Sequence, residues 1–485
     1  MKEDISYLKK LSETGYGVTN VISAVTNYFF DSYFAKLDER ARSNFVKPKW
    51  CPNDPFSHIK EMWLETELYK CVTLNKGYPS FARSLQAWAF SKLFVGDQAT
   101  WEVVKYLENY EFKDMLKDSF VFRLQSEQIS ISPTEKLTLP VFGNFFVRSK
   151  SNDAHLFVSL DLGYESPGCV VTVMGAPHNQ GTVEQFLSDF DASIVANDIY
   201  YKQCLTFIQG RLDFIDVTKN CWDDVILKED LKQKIRDNTV NILDHMNDLA
   251  SIGMCPNRNV MLISPPGTAK TTIFRSVSSE VDKRMTRIWC TGKSINDAQD
   301  VTSLFQAARS MTPCIILLED ADLFGRDRSY GSGSDNYVLN EFLACLDGMQ
   351  ENAGVVVMAS TNDIASMDEA LVRPGRFDMK IELLMPDANE RGMMLRKFLT
   401  DMHAKFDSTV SIEKLNSVID ILDGLSGAHL RDFCKSVVIR SVSRCPVSNG
   451  CVSINLDDVE SGVSQTLENF RLIDKVKKHH VAGLD

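Results

Sequence analysis

From about residue 216 onward, short apolar runs alternate with helical segments, and this alternation limits the fold more than any other feature of the chain. The runs are VMLIS (260–264), TRIWC (286–290), CIILLE (314–319), GVVVMAS (354–360) and MKIELL (379–384). Continuous Val/Ile/Leu runs of this length suit strands buried on both faces, and strands separated by helices pair in parallel. The expected fold class is α/β, a parallel sheet with flanking helices built around a phosphate-binding loop. After Pro386 the chain turns helical again, to about residue 475. No internal repeat is present, so one such module is expected.

The preceding residues divide by period. Residues 1–118 read as helical: SFARSLQAWAFSKLF (80–94) sets Phe81, Leu85 and Trp88 on one face, and WEVVKYLENY continues in the same manner. Residues 119–215 read as a β-rich domain, with FVFRL, KLTLP, FFVRS, HLFVSLDL, CVVTVMG, CLTFIQG and RLDFIDV as short strands. One helix interrupts them at TVEQFLSDF, where Thr182 and Gln185 have capping-box spacing. The expected domains are thus 1–118, 119–215, 216–386 for the large α/β subdomain, and 387–485 for the lid and tail.

Composition excludes several classes. The net charge of −12 argues against nonspecific binding to nucleic-acid phosphates. The 12 cysteines form no C-x-x-C pair and the eight histidines no H-x-x-x-H, so reduced thiols in a cytoplasmic protein are expected and a zinc site is not. The start, MKEDISYLKK, has no signal-peptide core. GVTNVISAVTNYFF (17–30) is uncharged but short and interrupted by Thr and Asn. Its helical stripe of Val18, Val21, Ile22, Val25 and Phe29 reads as a packing face, so no integral membrane segment is expected.

The loop between the first apolar run and the next helix is SPPGTAKTT (264–272). A phosphate loop has the pattern G-x-x-x-x-G-K-[ST]; its backbone N–H groups face the ligand, its Lys reaches the β- and γ-phosphates and its hydroxyl holds Mg²⁺. Here Ser264 and Ala269 occupy the two glycine positions, while Gly267, Lys270 and Thr271 remain. Neither substitution removes a charge. Ala269 is harmless at a helical φ and costs ~1–2 kcal/mol if φ must be positive. Pro266, Gly267, Thr268, Ala269, Lys270, Thr271 and Thr272 are the expected nucleotide-binding residues.

Downstream, CIILLEDAD places Glu319 and Asp320 at a strand end, one carboxylate for Mg²⁺ and one for an attacking water. GVVVMASTND ends at Asn362, whose amide can orient water or touch the γ-phosphate. In MDEALVRPGRFDMKI, Arg373 and Arg376 are either a salt-bridged surface or fingers that stabilise transition-state charge.

Together these motifs resemble those of a single AAA ATPase module over about 220–470. SPPGTAKT resembles G-P-P-G-T-G-K-T, ALVRPGRFDMKIEL the second region of homology, and DGLSGAHLRDFC (423–434) the lid motif G-x-S-G-A-x-L. The resemblance implies ATP and Mg²⁺ as cofactors, with Thr271 and Glu319 at the metal, Asp320 at the attacking water and Asn362 as a sensor. It implies that Arg373 and Arg376 act on a neighbour's nucleotide in a ring of six or seven copies, and that Asp224, Gly427 and Ala428 lie near adenine. His429, in place of an acid, is expected to alter a surface contact only. The order Glu319–Asp320 and the connection RIWCTGKSINDAQDVTSLF (287–305) resemble the AAA subgroup of the mitochondrial Rieske-protein translocase.

The segment CTGKSINDAQD has no aromatic tip, which counts against threading of an unfolded chain, and Trp289 before it reads as core. GRDRSYGSGSDNY (325–337) is either a pore-facing loop or a plain connection. The expected activity is ATP hydrolysis coupled to remodelling or translocating a protein partner held by the N-terminal region. The rival readings are a nucleotide-binding assembly switch with little hydrolysis and, against the acidic charge, a nucleic-acid motor.

Overall fold

The computed structural model describes residues 60–61, 63–95, 99–106, 110–111, 121–122, 124–163, 168–323, 333–347, 352–445 and 450–481. The stripe at 17–30 and most of the loop at 325–337 lie outside them. The chain divides into two units, one formed mainly by residues up to Ala196 and the other mainly by Asn197 onward.

The first unit is antiparallel. Strands β1 (Val72–Tyr78), β2 (Trp101–Tyr106), β3 (Lys136–Ser149), β4 (His155–Leu162) and β5 (Cys169–Gly175) form a sheet in the order β1-β5-β4-β3-β2. Strand β5 alternates buried and half-buried residues, and β4 does so after a buried run at Leu156, Phe157 and Val158, with one face of the sheet more deeply covered than the other. Helix α1 (Arg83–Lys92) lies within the segment expected to be helical, with Phe81 and Leu85 buried. Helix α2 (Gln180–Ala196) buries Val183, Phe186, Leu187 and Phe190.

Three sequence expectations are corrected here. The stretch 101–106 is a strand, not a helix: Trp101 and Val103 pair with Ser149 and Val147 of the long β3, and the cross-strand contacts override a weak helical pattern. The stretch 72–78 is likewise a strand. Helix α2 starts at Gln180, directly after a turn opened by Pro177, so Thr182 is already inside it; the Thr182 hydroxyl accepts from Asn152 Nδ2 at 2.9 Å instead of capping.

The second unit is built on a seven-stranded sheet. Its strands are β6 (Cys204–Ile208), β7 (Arg211–Phe214), β8 (Arg258–Ile263), β9 (Thr286–Thr291), β10 (Cys314–Glu319), β11 (Val355–Thr361) and β12 (Met379–Glu382), in the order β7-β6-β9-β10-β11-β8-β12. All neighbours are parallel except the β6–β7 hairpin. Thus CLTFIQG and RLDFIDV do not belong to the β-rich module. Residues Cys204, Leu205 and Thr206 pair in parallel with the sheet's edge strand at Arg287, Ile288 and Trp289, which covers that edge.

The β10 and β11 runs are almost wholly buried, as strands covered on both faces must be, and β8 buries its centre at Val260, Met261 and Leu262. Helices α3 (Glu229–Asp237), α4 (Lys270–Glu280), α5 (Ala298–Ser310) and α6 (Gly333–Leu346) belong to the same unit. In α5, Val301, Leu304, Phe305 and Ala308 form the helical stripe, and Asp297 caps it by accepting from Asp300 N. Trp289 packs against the sheet core, edge-on to Phe274 at 6.1 Å, as a core residue would.

Four helices follow: α7 (Ala388–Asp401), α8 (Ile412–Ile421), α9 (Gly427–Arg444) and α10 (Leu456–Val481). They enclose a separate core that includes Leu395, Leu399, Leu422, Leu430, Phe433 and Val437. This is the helical lid. Asp387 and Glu390 close a capping box at the start of α7 and so fix where the lid begins.

Candidate functional site

The phosphate loop is held between β8 and the N-terminus of α4. The Ser264 amide donates to Thr361 O at 3.3 Å, which ties the loop's first residue to the end of β11. Gly267 has φ +83°, and an added Cβ would sit 2.6 Å from Ser426 Oγ and 2.9 Å from Ala428 Cβ. Both the backbone angle and the approach of the lid require glycine there. The Ala428 amide donates to Gly267 O at 3.1 Å, so loop and lid are hydrogen-bonded. No side chain caps α4, which leaves its first-turn amides for an anion.

Ala269 has φ +70° and ψ 18°, the left-handed region. The second missing glycine is therefore the costly case, about 1–2 kcal/mol of strain. Glycine would relieve it but loosen the unfolded chain, an offset of about 0.4–1 kcal/mol. Ala269→Gly is expected to stabilise the protein by a net ~0.5–1 kcal/mol, read as a higher urea midpoint at unchanged slope.

The acids converge on this loop. Thr271 Oγ1 donates to Glu319 Oε2 at 3.3 Å, and Glu319 Oε1 is buried without a hydrogen-bond partner. Burial pushes the Glu319 carboxyl up, with neighbouring Asp320 adding to the rise, while the Thr271 hydrogen bond and, less strongly, Arg275 and Lys270 oppose it. A hydroxyl beside an orphaned carboxylate oxygen is a hard-oxygen donor set that suits Mg²⁺. Asp320 adopts φ +52° after the strand end, and its Oδ1 accepts from Asn362 Nδ2 at 3.3 Å. Asn362 Oδ1 accepts from Lys270 Nζ at 2.8 Å. Burial draws the Lys270 pKa down, against the pull of Asp320, Asp322 and Glu319.

The loop, both acids and Asn362 line one cleft of about 640 Å³, a volume typical of ligand sites. Asp224, Gly427 and Ala428 line the same cleft. The lid contributes five residues that sequence reasoning missed: Met394, Lys397, Phe398 and Asp401 from α7, and Arg431 from α9. Their only signal was a helical period shared with any packed helix. Arg431 lies 5.2 Å from the centre of the Phe398 ring, a cation–π contact.

Lys397 Nζ pairs with Asp224 Oδ1 at 2.8 Å and joins the lid to the turn before α3. This ammonium, helped by the Cys221 amide and thiol, holds the Asp224 carboxyl down at about 2. A depressed carboxylate stabilises the fold above its ordinary value of 3.8, and the contribution disappears as pH falls through about 2. The pair is partly exposed, so its worth is no more than ~1 kcal/mol. Urea unfolding should therefore separate wild type from Lys397→Met at pH 5 and find them converging toward pH 2.

His429 does more than alter a surface contact. Its Nδ1 lies 2.9 Å from Ser426 Oγ and accepts from the Ser426 amide at 3.3 Å, closing the capping box of α9. Ser426 is the same residue that Gly267 approaches, so this box sits directly against the loop.

Arg373 and Arg376 do not line their own chain's cleft. Arg376 makes a two-pronged pair with Asp347, Nη2–Oδ2 at 2.6 Å and Nε–Oδ1 at 2.8 Å, and donates from Nη1 to Ala370 O at 2.9 Å. Arg373 is exposed and has no side-chain partner among the described residues.

Residues 260–385 match the model of the ATPase family associated with various cellular activities (AAA). The fold is AAA-type. Its parallel sheet, flanking helices and C-terminal helical lid are those described above, preceded by the β-rich and helical region. The AAA ATPase domain is homologous to that of FtsH-type proteins. An "ATP-dependent zinc metalloprotease FtsH" from Mycoplasmoides gallisepticum is 31% identical over 263 residues, 50% of this chain and 33% of that protein. One from Cyanidium caldarium is 29% identical over 279 residues, 54% of this chain and 43% of the other. The chloroplastic "FTSH 2" of Arabidopsis thaliana is 30% identical over 277 residues, 54% and 38%. The chain thus spans about a third to two-fifths of these relatives' length.

These likenesses correct the expected kinship with the Rieske-protein translocase subgroup. The inverted Glu319–Asp320 pair and the connection at 287–305 are short features; similarity running over some 263–279 residues outweighs them. No two histidines in this sequence stand four apart, so the H-E-x-x-H zinc pattern is absent from these residues. Among the described residues no helix is long and apolar enough to cross a membrane, and no cluster of His, Cys, Asp and Glu forms a metal site.

Proposed function

We propose that the chain hydrolyses Mg·ATP between neighbouring copies in a ring and couples that reaction to remodelling or moving a protein partner. The observation that carries this reading is the linked set Lys270–Asn362–Asp320, with steps of 2.8 and 3.3 Å, beside the Thr271–Glu319 pair. A module that only bound nucleotide would need the loop but not the sensor amide aligned with a carboxylate.

In this reading the loop amides and Lys270 hold the β- and γ-phosphates. Thr271 and Glu319 would hold Mg²⁺, which neutralises charge on those phosphates. Asp320 accepts the proton of the attacking water, and Asn362 fixes the orientation of Asp320 and Lys270. Arg373 of a neighbouring copy reaches the γ-phosphate. A protein partner fits the relatives, whose names describe proteases; proteolysis itself is not carried over. The short turn Gly292–Ser294 after β9 has no aromatic residue, and Gln209 N from the added hairpin donates to Ser294 O at 3.3 Å. A turn strapped in this way fits pushing on a folded partner better than threading an extended chain.

Steady-state phosphate release with Mg·ATP tests the reading. Turnover that the wild type sustains and Lys270→Ala loses supports it; equal turnover in the two ends it.

A further inference from the structure

Ser264 stands where a phosphate loop ordinarily has glycine, and its hydroxyl is engaged. The residue is 2% exposed. Its Oγ accepts from Lys270 Nζ at 2.9 Å, lies 2.6 Å from Thr268 Oγ1, and donates to Pro265 O at 3.3 Å. A hydroxyl has one proton and two lone pairs, so this set saturates it.

Lys270 is oversubscribed in turn. Its ammonium has three protons. Four acceptors stand within reach: Asn362 Oδ1 at 2.8 Å, Ser264 Oγ at 2.9 Å, Ser264 O at 3.1 Å and Pro265 O at 3.3 Å. Three of the four belong to residues 264 and 265, behind the loop. With glycine at 264 the second-shortest of these contacts would not exist.

We propose that Ser264 is a positioning residue that holds Lys270 back against the loop and so lowers the affinity for the β- and γ-phosphates. The inference rests on the ATPase reading above. A triphosphate must draw the ammonium's protons away from its present acceptors. When it does, a buried hydroxyl loses a charged donor, which costs free energy that a glycine loop never incurs. Removing the hydroxyl does not strand its neighbour, because Thr268 Oγ1, which donates to Ser264 Oγ at 2.6 Å, can turn its one proton to Pro265 O at 2.8 Å.

The test is calorimetric titration of the full chain with Mg·ATP, and with adenosine by competition, for wild type, Ser264→Ala and Ser264→Gly. Two variants are used so that a folding defect in one leaves the other readable. Both should bind Mg·ATP about three- to tenfold more tightly than wild type, the size of a charged hydrogen bond partly replaced by its remaining acceptors. Adenosine, which Lys270 does not touch, should bind unchanged. The gain should vanish in a Lys270→Met background. An unchanged or weaker ATP affinity, or an equal gain for adenosine, overturns the inference. Failure of the wild type to take up ATP at all would instead bring down the ATPase reading on which it rests.

Discussion

Lys270→Ala is expected to bind Mg·ATP about 100-fold more weakly than wild type and to release phosphate at background rate. The magnitude follows from the loss of charged hydrogen bonds to two phosphates, each worth about 1.5–3 kcal/mol, where 1.4 kcal/mol is roughly tenfold. The structure adds a second loss. Lys270 Nζ holds Asn362 Oδ1, and Asn362 Nδ2 in turn reaches Asp320 Oδ1. Alanine frees the amide to rotate, so the Asp320 carboxylate, proposed to act on the attacking water, loses its fixed partner. Calorimetry for binding and a coupled phosphate assay for turnover check the two parts; turnover within about twofold of wild type would contradict the assignment.

Arg373→Ala is expected to reduce turnover about 10³-fold, at the lower end of the range for arginine fingers, with ATP affinity and Tm unchanged. The contrast with Arg376 makes the prediction sharp. Arg376 is spent on Asp347 and on Ala370 O within its own chain, so Arg376→Ala should lower both turnover and Tm. Arg373 is exposed and unpaired among the described residues, and its removal should cost catalysis alone. If the finger acts across a subunit boundary, a mixture of Arg373→Ala and Lys270→Ala chains should recover part of the activity that each lacks. In such a ring some sites pair an intact loop with an intact finger. Mixed rings no more active than either parent would exclude action in trans.

Some of this was readable from residue order alone and some was not. The five strands were legible because Val/Ile/Leu runs bounded by Gly, Pro and Asp have few other homes, although β12, at the sheet edge, buries only Ile381, and the loop because its Lys-Thr pair follows a strand and opens a helix. The acids and Asn362 were legible for the same reason: strand ends point to one edge of a parallel sheet, where ligands bind. The hairpin at Cys204–Phe214 was assigned to the wrong sheet because a β pattern does not say which edge it will pair with. The strand at Trp101–Tyr106 was read as a helix because WEVVKY carries its strand preference only through its partner β3. Met394, Lys397 and Phe398 were invisible as site residues, since the face of α7 that meets the cleft is decided by how the lid packs. The conformation at Ala269 was the open question at the loop, and only the backbone angle answered it.

ATP hydrolysis by this chain requires the loop 264–272 to grip a triphosphate with serine and alanine in place of two glycines. The direct measurement is isothermal titration of the wild-type chain with ATP in the presence of magnesium. Saturable uptake approaching one nucleotide per chain, lost in Lys270→Ala, is the predicted result. No heat of binding at millimolar ATP from a folded sample would contradict it.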